Sequence, residues 1–337
     1  MSTLKDTFKR TIDYMRISIT DRCNLRCVYC MPQEGLVPMQ HKDILSYEEI
    51  MRILLIAVNI GVKKVRLTGG EPLVRKNVSH LIRLIKSIDG IQDLSLTTNG
   101  ILLSQHAEEL ADAGLERVNI SLDSLKASRY REITRCGNLD HVLKGIEAAE
   151  KAGLNPLKIN MVPMRGFNDD EIGAFANMTL KTPYQVRFIE LMPFGKENMW
   201  KPGYFISSEE IKSIVEGTGS LHPVRMRRSG PARYYKLDGA IGVIGFISPL
   251  SNHFCNTCNR LRLTADGKLR PCLFSETEID IKTALRSNAP DHEIERLIRL
   301  SIQIKPEGHT IRLHDTKFGR VLCGRGDCSR PMSRIGG

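Results

Sequence analysis

The stretch Tyr14-Met-Arg-Ile-Ser-Ile-Thr20-Asp-Arg-Cys23-Asn-Leu-Arg-Cys27-Val-Tyr29-Cys30 sets a short β-like run directly before three closely spaced cysteines. The run alternates. Met15, Ile17 and Ile19 fall on one face, and Arg16, Ser18 and Thr20 on the other, which is the period of a strand. Beyond the cysteines, residues 47–58 repeat their apolar positions with a helical period. The same unit then recurs. Strands are expected at 14–20, 63–68, 91–97, 116–121, 157–161 and 185–191, with helices between them such as 47–58, 77–88 and 103–113. Strand–helix units in an unbroken series build a parallel sheet. Periodicity alone leaves an open doubly wound sheet and a full or partial barrel both standing.

The chain has 337 residues, enough for about two domains or one barrel with an extension. Hydrophobic residues make up 41% and charged residues 26%, a globular composition. The longest apolar stretch, 53–60, is interrupted by Asn59 and falls far short of the roughly 20 residues that span a bilayer. The start, Met1-Ser-Thr-Leu-Lys-Asp, lacks the apolar stretch of a secretory signal, so a cytoplasmic location is expected. The net charge of +11 suggests a polyanionic partner. Nine cysteines, an odd number, argue for metal or redox chemistry over a disulfide framework. After about residue 220 the texture changes: 222–236 is basic without an acid, 240–249 reads as a strand pair, and short helices are expected near 279–286 and 292–304. A boundary is placed near Gly217, giving parts 1–217 and 218–337.

Cys23, Cys27 and Cys30 read C-x3-C-x2-C. Structural zinc takes four ligands, and no fourth cysteine is near, although His41 follows. A [4Fe–4S] cubane usually takes four thiolates; with three, one iron stays open. Cys255, Cys258 and Cys272 form a second set, C-x2-C-x13-C. There zinc is a stronger rival, since His253, Cys323 or Cys328 could complete a four-ligand site.

With Tyr29 before its last cysteine, the first motif resembles the radical S-adenosylmethionine superfamily, and Leu67-Thr68-Gly69-Gly70-Glu71-Pro72 is similar to that superfamily's Gly-Gly-Glu motif. Adding Cys255-Asn-Thr-Cys258-Asn-Arg260-Leu-Arg262 and the end Ile335-Gly336-Gly337, the chain from about Met15 onward resembles the GTP 3′,8-cyclase family of molybdenum cofactor biosynthesis. The resemblance implies a six-stranded partial (β/α) barrel followed by a C-terminal iron–sulfur domain. It implies two [4Fe–4S] clusters, on Cys23, Cys27 and Cys30 and on Cys255, Cys258 and Cys272. It implies S-adenosylmethionine contacts from Tyr29, Gly70, Ser121 and Met192, and GTP contacts from Arg16, Arg66, Thr97, Lys158, Arg260 and Arg262. It gives Gly336 and Gly337 a catalytic place in the active site. The implied chemistry cleaves S-adenosylmethionine reductively to a 5′-deoxyadenosyl radical, which takes the 3′ hydrogen of GTP. The sugar radical then closes onto C8 of guanine. The product would pass to the cyclic pyranopterin monophosphate synthase. A one-electron reductant and a homodimer are expected, and neither a nucleic acid nor a membrane is.

Strand faces agree with an anionic substrate. Arg16 shares a face with Ser18, Lys64 and Arg66 with Thr68, and Lys158 with Asn160, while Arg187 starts the sixth strand. Cations turned into a barrel are costly without a partner, and a triphosphate supplies one. Lys64 and Arg187 rest on this geometry alone. Cys323 and Cys328 depart from the family pattern as inert thiols, a redox pair or a fourth ligand. Two rivals remain at this point. One is another radical enzyme with an auxiliary cluster, acting on a peptide or other small molecule. The other is a zinc-stabilised nucleic-acid-binding protein.

Overall fold

A computed structural model describes residues 4–194, 202–226, 230–316, 319–323 and 330–336. Its core is the expected strand series: β1 (Tyr14–Ser18), β2 (Lys64–Thr68), β3 (Asp93–Thr98), β4 (Arg117–Ser121), β5 (Lys158–Met161) and β6 (Gln185–Ile189). Each pairs in parallel with its successor. Outside lie α1 (Tyr47–Asn59), α2 (Val78–Lys86), α3 (Leu103–Asp112), α4 (Ala127–Thr134), α5 (Leu139–Lys151) and α6 (Ile172–Lys181). Helix α1 begins where Ser46 and Glu49 cap each other reciprocally, satisfying two amide donors that the first turn leaves unpaired. It buries Ile50, Ile53, Leu54 and Ala57. Met15 and Ile17 of β1, Val65 and Leu67 of β2, and Leu94 and Leu96 of β3 belong to the same core. Burial of each such Leu or Ile side chain contributes roughly 1.5–3 kcal/mol. Parallel strands covered on both faces read as continuous apolar runs. These strands alternate because their inner face lines a cavity.

The C-terminal part, after α7 (Ser208–Glu216), supplies β7 (Leu221–Val224), β8 (Arg233–Leu237), β9 (Val243–Ile247), β10 (Arg260–Leu263), β11 (Lys268–Arg270) and β12 (Ile279–Asp280). They extend the same sheet to twelve strands in the order β12-β11-β10-β1-β2-β3-β4-β5-β6-β9-β8-β7. Strand β10 lies parallel to β1, and β9 parallel to β6. The partial barrel therefore has a parallel core of eight strands, two more than the sequence count. Neither addition is preceded by a strand–helix pattern that would announce it. Three local readings change. Residues 240–249 hold one strand, β9, where a pair was expected. Residues 222–236 contribute to the antiparallel pair β7–β8. Near 279–286 the chain forms β12 before helix α8 (Lys282–Arg286). Helix α9 (Asp291–Gln303) is followed by the hairpin β13 (Arg312–Thr316) and β14 (Gly319–Cys323), then the short α10 (Met332–Ile335). No helix among the described residues is long and apolar enough to cross a membrane.

Candidate active site

One cavity of about 370 Å³ is lined from the first residues of β1–β5, such as Tyr14, Lys64 and Lys158, to their last, such as Thr68 and Ser121, and by Arg260 and Arg262 of β10. Cys23, Cys27 and Cys30 line it, and so do Cys255, Cys258 and Cys272. All six thiols are free. Burial pushes Cys23 up to about 11 and Cys30 up to about 12, and raises Cys27 well above the usual thiol range. Further increments come from neighbouring thiols, Cys30 on Cys27 and Cys23 on Cys30. At Cys258 burial acts in the same sense, but Arg260, Lys305 and Arg262 outweigh it and leave the thiol below its ordinary value. Among the described residues no three His, Cys, Asp or Glu side chains converge on a single ion. A cubane takes one thiolate at each of several irons, so it needs no such convergence. Two half-buried thiol triads facing one cavity fit such clusters, and metal would displace the thiol protons.

The Cys23–Cys30 loop is braced from beneath. Gly70 N–H donates to the Thr20 carbonyl and Glu71 N–H to the Arg22 carbonyl, both at 2.7 Å. A Cβ at Gly70 would stand 2.2 Å from that Arg22 oxygen, so only glycine lets the two backbones approach. Glu71 itself is buried, and burial pushes its carboxyl up to about 7 against the pull of its donors. It accepts from Thr98 Oγ1 and Asn99 N at 2.7 Å and from Leu73 N at 3.1 Å. Tyr29, Gly70, Ser121 and Met192 all line the cavity. The Tyr29 hydroxyl donates to Asp123 at 2.6 Å, and Asp123 also accepts from Val162 N at 2.8 Å. Burial raises the Asp123 carboxyl to about 6.

The cavity wall is cationic. Arg16, Arg66, Lys158, Arg187, Arg260 and Arg262 all line it, with Thr97 among them. Burial holds Arg16 well below its usual range, and Arg262, Arg66 and Arg260 depress it further. Burial likewise brings Arg187 and Arg262 down to about 10. Like charges crowded in a buried site favour a bound anion. Thr97 Oγ1, Asn160 Oδ1 and Arg187 Nε are buried without a hydrogen-bond partner among the described residues, which marks wall positions able to take ligand groups. Lys64 differs: its ammonium is paired to Asp13 at 2.8 Å, so it is already neutralised. Arg117, which also lines the cavity, is paired to Asp93.

The C-terminus reaches this site. Met332 and Ser333 line the cavity, and Arg262 Nη1 donates to the Gly336 carbonyl at 2.7 Å. Gly337 lies outside the described residues, as does Cys328; of Cys323 only the backbone is described. Sequence reading picks out Asp123 and Glu71 only as strand-end residues and gives them no role; it passes over Lys305 and Asp13. The first two sit two to three residues past strand ends, which was a usable signal; the last two carry none.

Residues 17–179 match the Radical SAM superfamily and residues 184–311 match Molybdenum Cofactor Synthesis C. The solved structures share the fold. SuiB of Streptococcus suis bound to S-adenosylmethionine superposes with a TM-score of 0.57 at 16% identity, over 85% of this chain and 67% of that one. The anSMEcpe structure with bound AdoMet gives 0.51 at 16% identity, over 86% and 81%. Fold, thiol triad and Gly-Gly-Glu segment define a radical S-adenosylmethionine enzyme. GTP 3′,8-cyclase of Thermodesulfovibrio yellowstonii is 53% identical, over 99% of this chain and 100% of its own. That of Alkaliphilus metalliredigens is 51% identical, again over 99% and 100%. The chain belongs to the GTP 3′,8-cyclase family, the radical S-adenosylmethionine enzymes of the first step of molybdenum cofactor biosynthesis, with two [4Fe–4S] clusters.

Proposed function

We propose that the cavity closes GTP to 3′,8-cyclo-7,8-dihydroguanosine 5′-triphosphate, with its residues in the following roles. Cys23, Cys27 and Cys30 hold the first cluster, and Tyr29, Gly70, Ser121 and Met192 seat S-adenosylmethionine beside it. Cys255, Cys258 and Cys272 would hold the second, which would supply an iron for the guanine base to bind. Arg16, Arg66, Lys158, Arg260 and Arg262 neutralise the triphosphate, and Thr97 orients the nucleotide. Gly336 and Gly337 place backbone against the reacting nucleotide. When bound, the first cluster and S-adenosylmethionine supply the radical that removes the 3′ hydrogen. The protein's share is to bind, orient and keep water from the reacting carbon. The observation carrying this reading is that both thiol triads and nine Lys and Arg side chains, Lys64 and Arg117 among them already paired to carboxylates, line one cavity.

Residues 1–217 form the radical part in this reading and 218–337 the auxiliary-cluster part, joined along β1–β10 and β6–β9. The enzyme works in the cytoplasm, takes electrons from a one-electron reductant, acts as a homodimer and hands its product to the cyclic pyranopterin monophosphate synthase. Anaerobic turnover tests the reading directly. GTP should yield the cyclised nucleotide, whereas candidate peptides should remain unmodified; the reverse result rejects it.

Cys258→Ala separates the two clusters. It should lose about four of about eight irons, one cubane's worth, and keep part of the S-adenosylmethionine cleavage. Loss of all iron would make the 255–272 segment a general structural element.

Lys158 yields a proton-linkage prediction. Burial, with Arg187, Arg117 and Arg66 nearby, brings its ammonium down to about 6. The unfolded chain binds more protons between about 6 and the ordinary 10.5, so this lysine's contribution to stability rises with pH across that window. A triphosphate beside it reverses the effect by restoring the charge. GTP binding at about pH 8 should therefore take up close to one proton, and affinity should fall as pH rises, by up to about tenfold per unit. Calorimetry in buffers of different ionisation enthalpy reads the proton count. Lys158→Arg, always charged, should abolish the uptake; an unchanged count in that variant rejects the role.

A further inference from the structure

The described N-terminal residues precede both matched family segments, yet they are anchored on the second cysteine set. Lys5 and Thr11 pair in an isolated antiparallel bridge, and Asp6 closes the turn between them. Its carboxylate accepts from the N–H groups of Phe8 and Arg10 at 3.0 and 2.9 Å and from Arg10 Nε at 2.6 Å. The Asp6 side chain is fully buried and that of Arg10 is 6% exposed. The rest of the guanidinium points away from the turn. Nη1 donates to the carbonyls of Cys255 and Glu307, and Nη2 to that of Pro306, all at 2.7 Å.

One planar group therefore joins the Cys255 loop to the turn after α9. The fork geometry of arginine suits this, because its donors are fixed in one plane. From the opposite side Lys305 Nζ donates to the Arg260 carbonyl at 2.9 Å and to the Pro271 carbonyl at 2.6 Å. That contact ties the chain after Cys258 to the chain before Cys272. A buried cation is costly unless matched. Asp6 matches Arg10's charge, and three carbonyls complete its hydrogen bonds.

We propose that Arg10, oriented by Asp6, is a positioning residue for the second cluster: it fixes the Cys255 loop against the 305–307 turn and turns the guanidinium end of a buried ion pair toward that loop. This rests on the reading that Cys255, Cys258 and Cys272 hold that cluster. A cubane bound by thiolates carries excess negative charge, which a nearby fixed cation offsets. The guanidinium faces that loop while Asp6 sits on its Nε side, so the positive end of the pair favours the reduced form and tunes the potential.

The test uses the full chain, reconstituted anaerobically as wild type, Arg10→Gln, Arg10→Lys, Asp6→Asn and Cys258→Ala. Iron content, the electron paramagnetic resonance signal of each cluster and each midpoint potential are read. Arg10→Gln should bind fewer than the full complement of about eight irons and lose most of the second cluster's signal. The second cluster that remains should reduce at a more negative potential, with the first cluster's signal and potential as in wild type. Arg10→Lys should recover the potential but not the occupancy, because it keeps the charge and loses the fork. Loosened folding alone would lower the melting temperature without moving one potential selectively. Wild-type iron, signals and potentials in Arg10→Gln overturn the proposal. If that variant is insoluble, Asp6→Asn decides by the same measurements, an unchanged second cluster overturning it. Full iron in Cys258→Ala would instead overturn the cluster assignment beneath it.

Discussion

Cys27→Ala is expected to bring 5′-deoxyadenosine formation down to the background of cluster-free protein. The substitution removes one thiolate from a three-thiolate site, leaving two protein ligands where a cubane normally has three or four. The half-buried side chain lies near Cys30, Asp123 and Cys23, and water is a weaker iron ligand than the thiolate it would replace. The loop itself should survive. Its turn is held by the Cys27 carbonyl, which accepts from Cys30 N at 2.9 Å and Met31 N at 3.2 Å, and alanine keeps that carbonyl. Val28 N also donates to the Ile133 carbonyl at 2.9 Å. The check is therefore a paired measurement: melting temperature of cluster-free wild type and variant, which should agree closely, and 5′-deoxyadenosine from the reconstituted proteins, which should not. Residual cleavage at wild-type rate in a folded, sequence-verified variant would remove Cys27 from the site.

The contrast between near and distant signals explains how much of this enzyme could be read from its sequence. The six core strands were legible because each alternates, and because the side chains that break the apolar pattern, Arg16, Arg66 and Lys158, face one cavity. Their ends shifted by only a few residues: the first was expected at 14–20 and runs Tyr14–Ser18, since Thr20 already turns toward Gly70. The two cysteine sets were legible from spacing as metal-ligand candidates, the second with zinc as an open rival; that both line one cavity was not. The extension of the sheet by β9 and β10 was not. Strand β10 holds Arg260 and Arg262, which read as a substrate patch, and its pairing with β1 spans nearly the whole chain. The supporting groups were hidden for the same reason. Tyr29 finds Asp123 94 positions away, and Arg10 finds the Cys255 carbonyl 245 positions away. No local period encodes such pairs. Lys64 shows the converse, a correctly placed cation whose charge is taken by Asp13, a neighbour in space that the strand pattern does not reveal.

Removal of Gly336 and Gly337 should reduce cyclised product by at least about tenfold while iron content and melting temperature stay near wild type. The Gly336 carbonyl accepts from Arg262 at 2.7 Å, and a hydrogen bond to a charged group contributes roughly 1.5–3 kcal/mol, worth about one to two powers of ten in rate when it orients the reacting partners. The residue just before it, Ile335, is 1% exposed and packs with Phe194, so the tail remains docked up to the deletion point. Gly336→Val isolates the conformational requirement without shortening the chain. Gly336 adopts φ +68°, and a Cβ there would stand 2.8 Å from Thr68 Cγ2 and 3.2 Å from Ser18 Cβ. A β-branched residue is strained in that region of backbone space, and those neighbours belong to the inner ends of β1 and β2. The valine variant should therefore behave like the deletion, and Gly336→Ala should fall between it and wild type. A short synthetic peptide ending Gly-Gly, added to the truncated enzyme, should restore product if the tail acts by occupying the barrel mouth. Wild-type turnover by the bare truncation would mean that the Arg262 contact only parks the chain end, and the catalytic place given to Gly336 would be lost.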